Sequence, residues 1–147
     1  MEESGLGFIS LDHANAIFAG AFSKSAELGL KPLTVAVLDA GGHVIALQRQ
    51  DGSSTLRPQI ACGKASSALS LGLSTRKIGE MALERPAFVS SLSAIAPQGI
   101  IPAAGGVLVV DAEGRPIGAV GVTGDTSDND EICALSGIAA AGLNAQT

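Results

Sequence analysis

Val35-Ala-Val-Leu-Asp-Ala-Gly-Gly-His-Val-Ile-Ala46 and Val107-Leu-Val-Val-Asp-Ala-Glu-Gly-Arg-Pro-Ile-Gly118 align without a gap. Val35/Val107, Val37/Val109, Asp39/Asp111, Ala40/Ala112, Gly42/Gly114 and Ile45/Ile117 are identical. Each copy reads as a short apolar strand, a tight Asp-Ala-x-Gly turn and a second apolar strand, so the chain uses one kind of hairpin twice. Strands within a hairpin pair antiparallel. Nearly every strand position is apolar, which predicts a sheet covered on both faces.

Outward from the hairpins, helical signals take over. Ser10 suits a helix N-cap, and Ala14, Ile17, Phe18, Ala21, Phe22 and Leu28 follow at helical spacing until Gly29 and Pro32 stop the run. A second helix of about 16 residues is expected from near Leu56–Pro58 to Leu71, with Pro58 in its first turn. Ser74–Glu80 opens another helix that Pro86 interrupts, and the stretch 84–104 reads as a short helix and a loop. Asp128 and Glu131 have the spacing of a capping box at the start of the last helix, whose apolar stripe is Ile132, Leu135, Ala139 and Leu143. The order helix, hairpin, helices, hairpin, helix predicts an α+β fold: an antiparallel sheet built from two hairpins with helices packed on its faces. Residues 1–147 read as a single domain, with 1–9 as a loose N-terminal arm.

Composition narrows the function. Of 147 residues, 46% are hydrophobic and 16% charged, and the net charge is −5. The nine Lys and Arg residues are scattered, so no stripe fits a phosphate backbone and nucleic acid is not an expected partner. No apolar run is long enough for a membrane span. The acidic start, Met1-Glu2-Glu3-Ser4, does not resemble a signal peptide, and a cytoplasmic location is expected. Cys62 and Cys133 form no metal spacing and read as buried, reduced thiols. Sparse charge on a small domain leaves apolar surface to cover, which predicts a homo-oligomer.

Lys64 is the sharpest single residue. On a helix, Ile60, Ala61, Ala65, Ala68 and Leu69 form an apolar arc, and about 100° per residue places Lys64 about 40° from Ile60, inside it. A lysine there needs a partner or a pocket, because burying its charge alone is costly. It is a candidate base or anion-binding group, against the plainer reading of a side chain that snorkels to solvent. Arg57 lies one to two turns earlier, and Arg49 leaves a strand end as a candidate carboxylate anchor. Gly105, Gly106 and Gly124 permit a ligand close to backbone. Asp130 and Glu131 are candidate proton carriers, alongside a capping role for the acidic cluster. His13 and His43 are the two imidazoles, either able to ligate iron if haem is bound, or else cap-adjacent and surface residues. Asp39 and Asp111 are expected to cap their own turns.

Together, 35–43, Arg49-Gln-Asp-Gly52, Ile60-Ala-Cys-Gly-Lys-Ala65, Gly105-Gly106 before a strand, and Ile117-Gly-Ala-Val-Gly-Val-Thr-Gly124 followed by Asp130-Glu131 resemble the GlcG/HbpS-like family, which includes the C-terminal domain of PduO-type proteins. The resemblance covers roughly residues 10–145. It implies a profilin-like sheet and a homo-oligomer, often a dimer or a larger even-numbered assembly, and a small ligand, with haem or a related tetrapyrrole as the cofactor. The family's lysine matches Lys64 and its glycine loops match Gly105, Gly106 and Gly124. In haem-binding relatives a His or Thr can occupy the turn after the long helix; here that residue is Thr75. The alternative is a metal-independent lyase or isomerase acting on a small organic or aromatic acid in catabolism, with Lys64 binding or polarising substrate, Arg49 or Arg57 assisting, and Asp130 or Glu131 moving a proton.

Overall fold

The computed structural model describes residues 7–146. The chain runs α1 (Leu11–Leu28), β1 (Thr34–Asp39), β2 (Val44–Arg49), α2 (Arg57–Leu71), α3 (Thr75–Glu84), α4 (Pro86–Leu92), β3 (Gly106–Val110), β4 (Pro116–Thr123), α5 (Ser127–Ala140) and β5 (Asn144–Ala145). The five strands form one antiparallel sheet in the order β2-β1-β4-β3-β5. The two hairpins, β1–β2 and β3–β4, join through β1 and β4, where Thr34 faces Thr123 and Asp39 faces Gly118. The fold is α+β, with helices on both faces.

Period-2 alternation sorts the strand residues between those faces. Val35, Val37, Val107, Val109, Val120 and Val122 pack with Ile17 and Phe18 of α1 and Ala134 and Ile138 of α5. Leu38, Leu108 and Ala119 pack on the other side with Ala65 and Ala68 of α2. Helix α2 lies unusually close to the sheet because Gly121 leaves room for the Ala61 carbonyl, a space any Cβ would fill. A third cluster, Ile78, Val89 and Ile100, holds α3 and α4 to the loop after them.

Both repeated turns behave as expected. The Asp39 carboxylate accepts the Gly41 and His43 amides, and Asp111 accepts those of Glu113 and Arg115. Ser10 caps α1. Four details differ from the sequence reading, the first being the face of α5: Ile132, Leu135 and Ala139 of the expected stripe are exposed, and the helix buries Cys133, Ala134, Gly137 and Ile138 instead. The cap of α5 is Thr126, whose hydroxyl accepts the Asn129 amide, and not Asp128; the hydroxyl sits one residue before the helix begins, where it reaches that amide. The arm is not loose throughout, since Ile9 is 4% exposed and seats in the core; residues 1–6 of the arm lie outside the described residues. Finally, β5 had no sequence signal, because two residues give periodicity nothing to act on.

Candidate functional site

Lys64 points where the apolar arc indicated. It is 3% exposed, and its Nζ donates to the Val122 carbonyl at 3.0 Å and to Asp130 Oδ2 at 3.1 Å. Asp130, 2% exposed, also accepts the Asp125 amide through Oδ1. The pair thus ties α2 to β4 and to the first turn of α5. Burial pushes the Lys64 ammonium below its ordinary pKa, Asp130 opposes that fall, and Arg57 adds to it. Burial likewise raises the Asp130 carboxyl, against the pull of Lys64. Both partners are shifted toward neutrality by the same cause, loss of water.

The glycines around the pair have separate duties. Gly105, at φ 128°, stands where a Cβ would come 2.8 Å from the Lys64 Nζ and 2.5 Å from the Val122 oxygen. Gly106 opens β3 beneath the Lys64 carbonyl and beside Thr75. Gly124, also at positive φ, lets the chain pass the Pro32 carbonyl. Thr75 is fully buried, and its Oγ1 accepts the Gly106 amide at 2.7 Å. Glu131 pairs with Arg76, which also binds Asp128. Lys64, Asp130, Gly105, Gly106 and Thr75 therefore form one connected group, while Glu131 faces outward beside it.

The histidines lie elsewhere. His13 is in the capping box of α1, its Nδ1 accepting the Ser10 amide at 3.1 Å. His43 is on the β1–β2 turn with its side chain 82% exposed, 3.3 Å from Asp39. Among the described residues, no group of three or more His, Cys, Asp and Glu side chains could hold a metal ion.

Arg49 and Arg57 lie at the end of the sheet where β1 begins and β2 and β4 finish, Arg57 close enough to act on Lys64. Arg57, in the first turn of α2, donates through Nη1 to the Thr123 hydroxyl at 2.7 Å. Arg49 ends β2 and helps wall a groove of about 620 Å³ between that strand end and the C-terminal end of α1. Phe22, Leu30 and Pro32 supply the groove's apolar surface, and Ser25, Gln48 and Asp51 its polar rim. The volume is within the usual range of small-molecule sites, roughly 300–1,000 Å³. No local pattern marks this groove, since it joins two segments that have no motif in common. A repeated hydroxyl, Thr34 opposite Thr123 on a face otherwise lined by Ala, Gly and Leu, also went unread.

This sheet, with its order of helices, is a known one. Residues 9–139 match the family described as haem degrading protein HbpS-like. The chain belongs to the HbpS-like family. An uncharacterised 15.0 kDa protein of Citrobacter freundii, from the dhaT-dhaS intergenic region, is 31% identical over 126 residues, 86% of this chain and 87% of that protein. The crystal structure of HbpS superposes with a TM-score of 0.77 at 28% identity, over 90% of this chain and 89% of its own. A PduOC–haem complex gives a TM-score of 0.84 at 20% identity, over 95% and 99%, which is a likeness of fold. This HbpS-like chain shares its fold with a protein solved as a haem complex.

Whether its residues suit haem divides into two parts. The groove offers what a porphyrin body needs, an apolar surface with a cation at its edge. The iron finds less. None of His13, His43 and Thr75 lines that groove, and the Nδ1 of His13 and the hydroxyl of Thr75 already accept backbone amides. Imidazole or threonine ligation of haem does not fit this groove.

Proposed function

We propose that this protein binds haem or a related tetrapyrrole as a small-ligand-binding member of its family, in the groove between the end of α1 and the end of β2. The observation that carries the reading is the groove itself: about 620 Å³, apolar along Phe22, Leu30 and Pro32, with Arg49 at its margin. Apolar contact would hold the macrocycle, and the guanidinium would pair with a peripheral carboxylate. The relatives lend support, since the family description names haem and one structural neighbour is a haem complex.

The test is a titration of the purified protein with haem and, separately, with metal-free protoporphyrin. Binding through the macrocycle predicts saturable absorbance changes with both, and weaker binding of both by Arg49→Ala. Saturation with haem alone would assign recognition to the iron and overturn the reading.

The lyase or isomerase alternative has less behind it. Both acceptors of the Lys64 ammonium are protein atoms, and the pair is enclosed. A cytoplasmic homo-oligomer is part of the proposal. Leu83 and Ile95, on α3 and just after α4, are 87% and 82% exposed, apolar surface that another copy would cover. Among the described residues, no helix is long and apolar enough to cross a membrane.

A further inference from the structure

Two buried side-chain oxygens lack a hydrogen-bond partner among the described residues: the Thr34 and Ser53 hydroxyls. Thr34 opens β1, and Ser53 lies in the loop that carries the chain from β2 into α2. A buried hydroxyl without a partner loses its bonds to water and gains none in return, so two of them in a small domain call for a cause. The strand register supplies the setting. Thr34 is the direct partner of Arg49 on one side and of Thr123 on the other. Residues so paired stand on the same face of a sheet, here the face that α2 covers, with Cβ atoms about 4.5–5.5 Å apart.

The cations of this row are unspent. Other cationic side chains are engaged: Lys24 pairs with Glu27, Lys64 with Asp130, Arg76 with Asp128 and Glu131, Arg115 with Asp111 and Glu113, and Arg85 stacks on Phe88. Arg49 and Arg57 have no carboxylate partner among the described residues. Arg57 is half-buried and held in place by one hydrogen bond to Thr123, which leaves the rest of its planar fork without an acceptor. The helix it begins has no side-chain cap at Leu56 and no acidic residue in its first turn. The nearby acids are committed: Asp130 to Lys64 and the Asp125 amide, Asp125 to Lys31, Thr126 and Asn129. Asp51 follows Arg49 by two residues, on the rim of the other groove.

We propose that Arg57, Arg49, Thr34, Ser53 and Thr123 form a site for the carboxylate group of a small organic acid, on the α2 face of the sheet. The Arg57 fork grips the carboxylate, Arg49 adds a second charge, and the idle hydroxyls donate to its oxygens. A singly charged, planar anion suits it better than a dianion, because Asp130 and Asp125 stand behind the row. The site is separate from the α1-side groove, and Arg49 borders both. The carboxylate can belong to a free acid or to the edge of a porphyrin.

The experiment is a titration with benzoate, followed through the Arg57 Nε–H and the backbone amides of residues 53–57 by NMR, with chloride at matched ionic strength as reference. Saturable shifts with benzoate and not with chloride are expected. Arg57→Lys, which keeps the charge and loses the fork, should weaken binding about tenfold. Thr34→Val, which keeps the shape, should weaken it roughly three- to tenfold while leaving the fold at least as stable. No saturable shift, or equal affinity in Arg57→Lys, overturns the site. Competition between benzoate and haem would make the porphyrin edge the source of the carboxylate; benzoate binding indifferent to haem would make it a free acid. Benzoate binding in a protein that takes no porphyrin would sink the groove reading alone.

Discussion

Lys64 and Asp130 meet at 3.1 Å with their side chains 4% and 2% exposed, so an ion pair sealed from water joins the long helix of one half of the chain to the last helix of the other. Water screens it little, and each charge depends on the other for its place.

Removing one partner should therefore be worse than removing both. Lys64→Met is expected to destabilise the fold by about 3–5 kcal/mol, since it strands the Asp130 carboxylate. Lys64→Met with Asp130→Leu should recover part of that, though the Asp125 amide then loses its acceptor. Chemical denaturation of the three proteins measures the difference. A double variant less stable than Lys64→Met would show that the pair itself is the stabilising element.

Asp125 sets an acid limit. Its carboxylate accepts from the Asn129 side chain and from the amides of Thr126 and Lys31, which hold its pKa down at about 2 from an ordinary 3.8. A carboxyl lowered by folding gives stability that is full above its unfolded value and lost as pH falls toward the folded one. Melting temperature should fall between about pH 4 and pH 2, and Asp125→Ala should flatten that segment of the curve. An unchanged slope would remove Asp125 from the acid response.

Gly105 should resist substitution more than Gly142 does. Both have positive φ, at 128° and 71°, but a Cβ at Gly142 meets open space while one at Gly105 meets the Val122 oxygen and the Lys64 ammonium. Gly142→Ala is expected to cost about 1 kcal/mol, and Gly105→Ala clearly more, in thermal or denaturant unfolding. Equal losses would mean that the backbone angle alone matters.

The exposed leucine on α3 bears on assembly. If Leu83 lies under another copy, Leu83→Glu should lower the sedimentation coefficient without unfolding the chain. A wild-type protein that sediments as a monomer contradicts the oligomer.

Much of this fold could be read from residues. The duplicated Val-x-Val-x-Asp-Ala turn announced both hairpins because tight turns demand particular residues, and α2 ended at Gly72 because glycine accepts its C-terminal conformation. Lys64 was legible because a charge on an apolar arc is a conflict visible in one helix. Its partner was not singled out: Asp130 sits 66 residues away among other acids, and only the tertiary fold chooses between it and Glu131. The groove and the Thr34 row escaped for the same reason. Each is made of ordinary residues that gain meaning from the strand order, which no local pattern encodes.

Where a porphyrin sits is the most direct test. Ferric haem is paramagnetic, so added to isotope-labelled protein it should broaden the amide signals of residues 25–31 and 48–51, around the groove. Broadening centred instead on the His43 turn, on Thr75 or on His13 would contradict the proposed site and return the iron to one of the side chains that the groove leaves out.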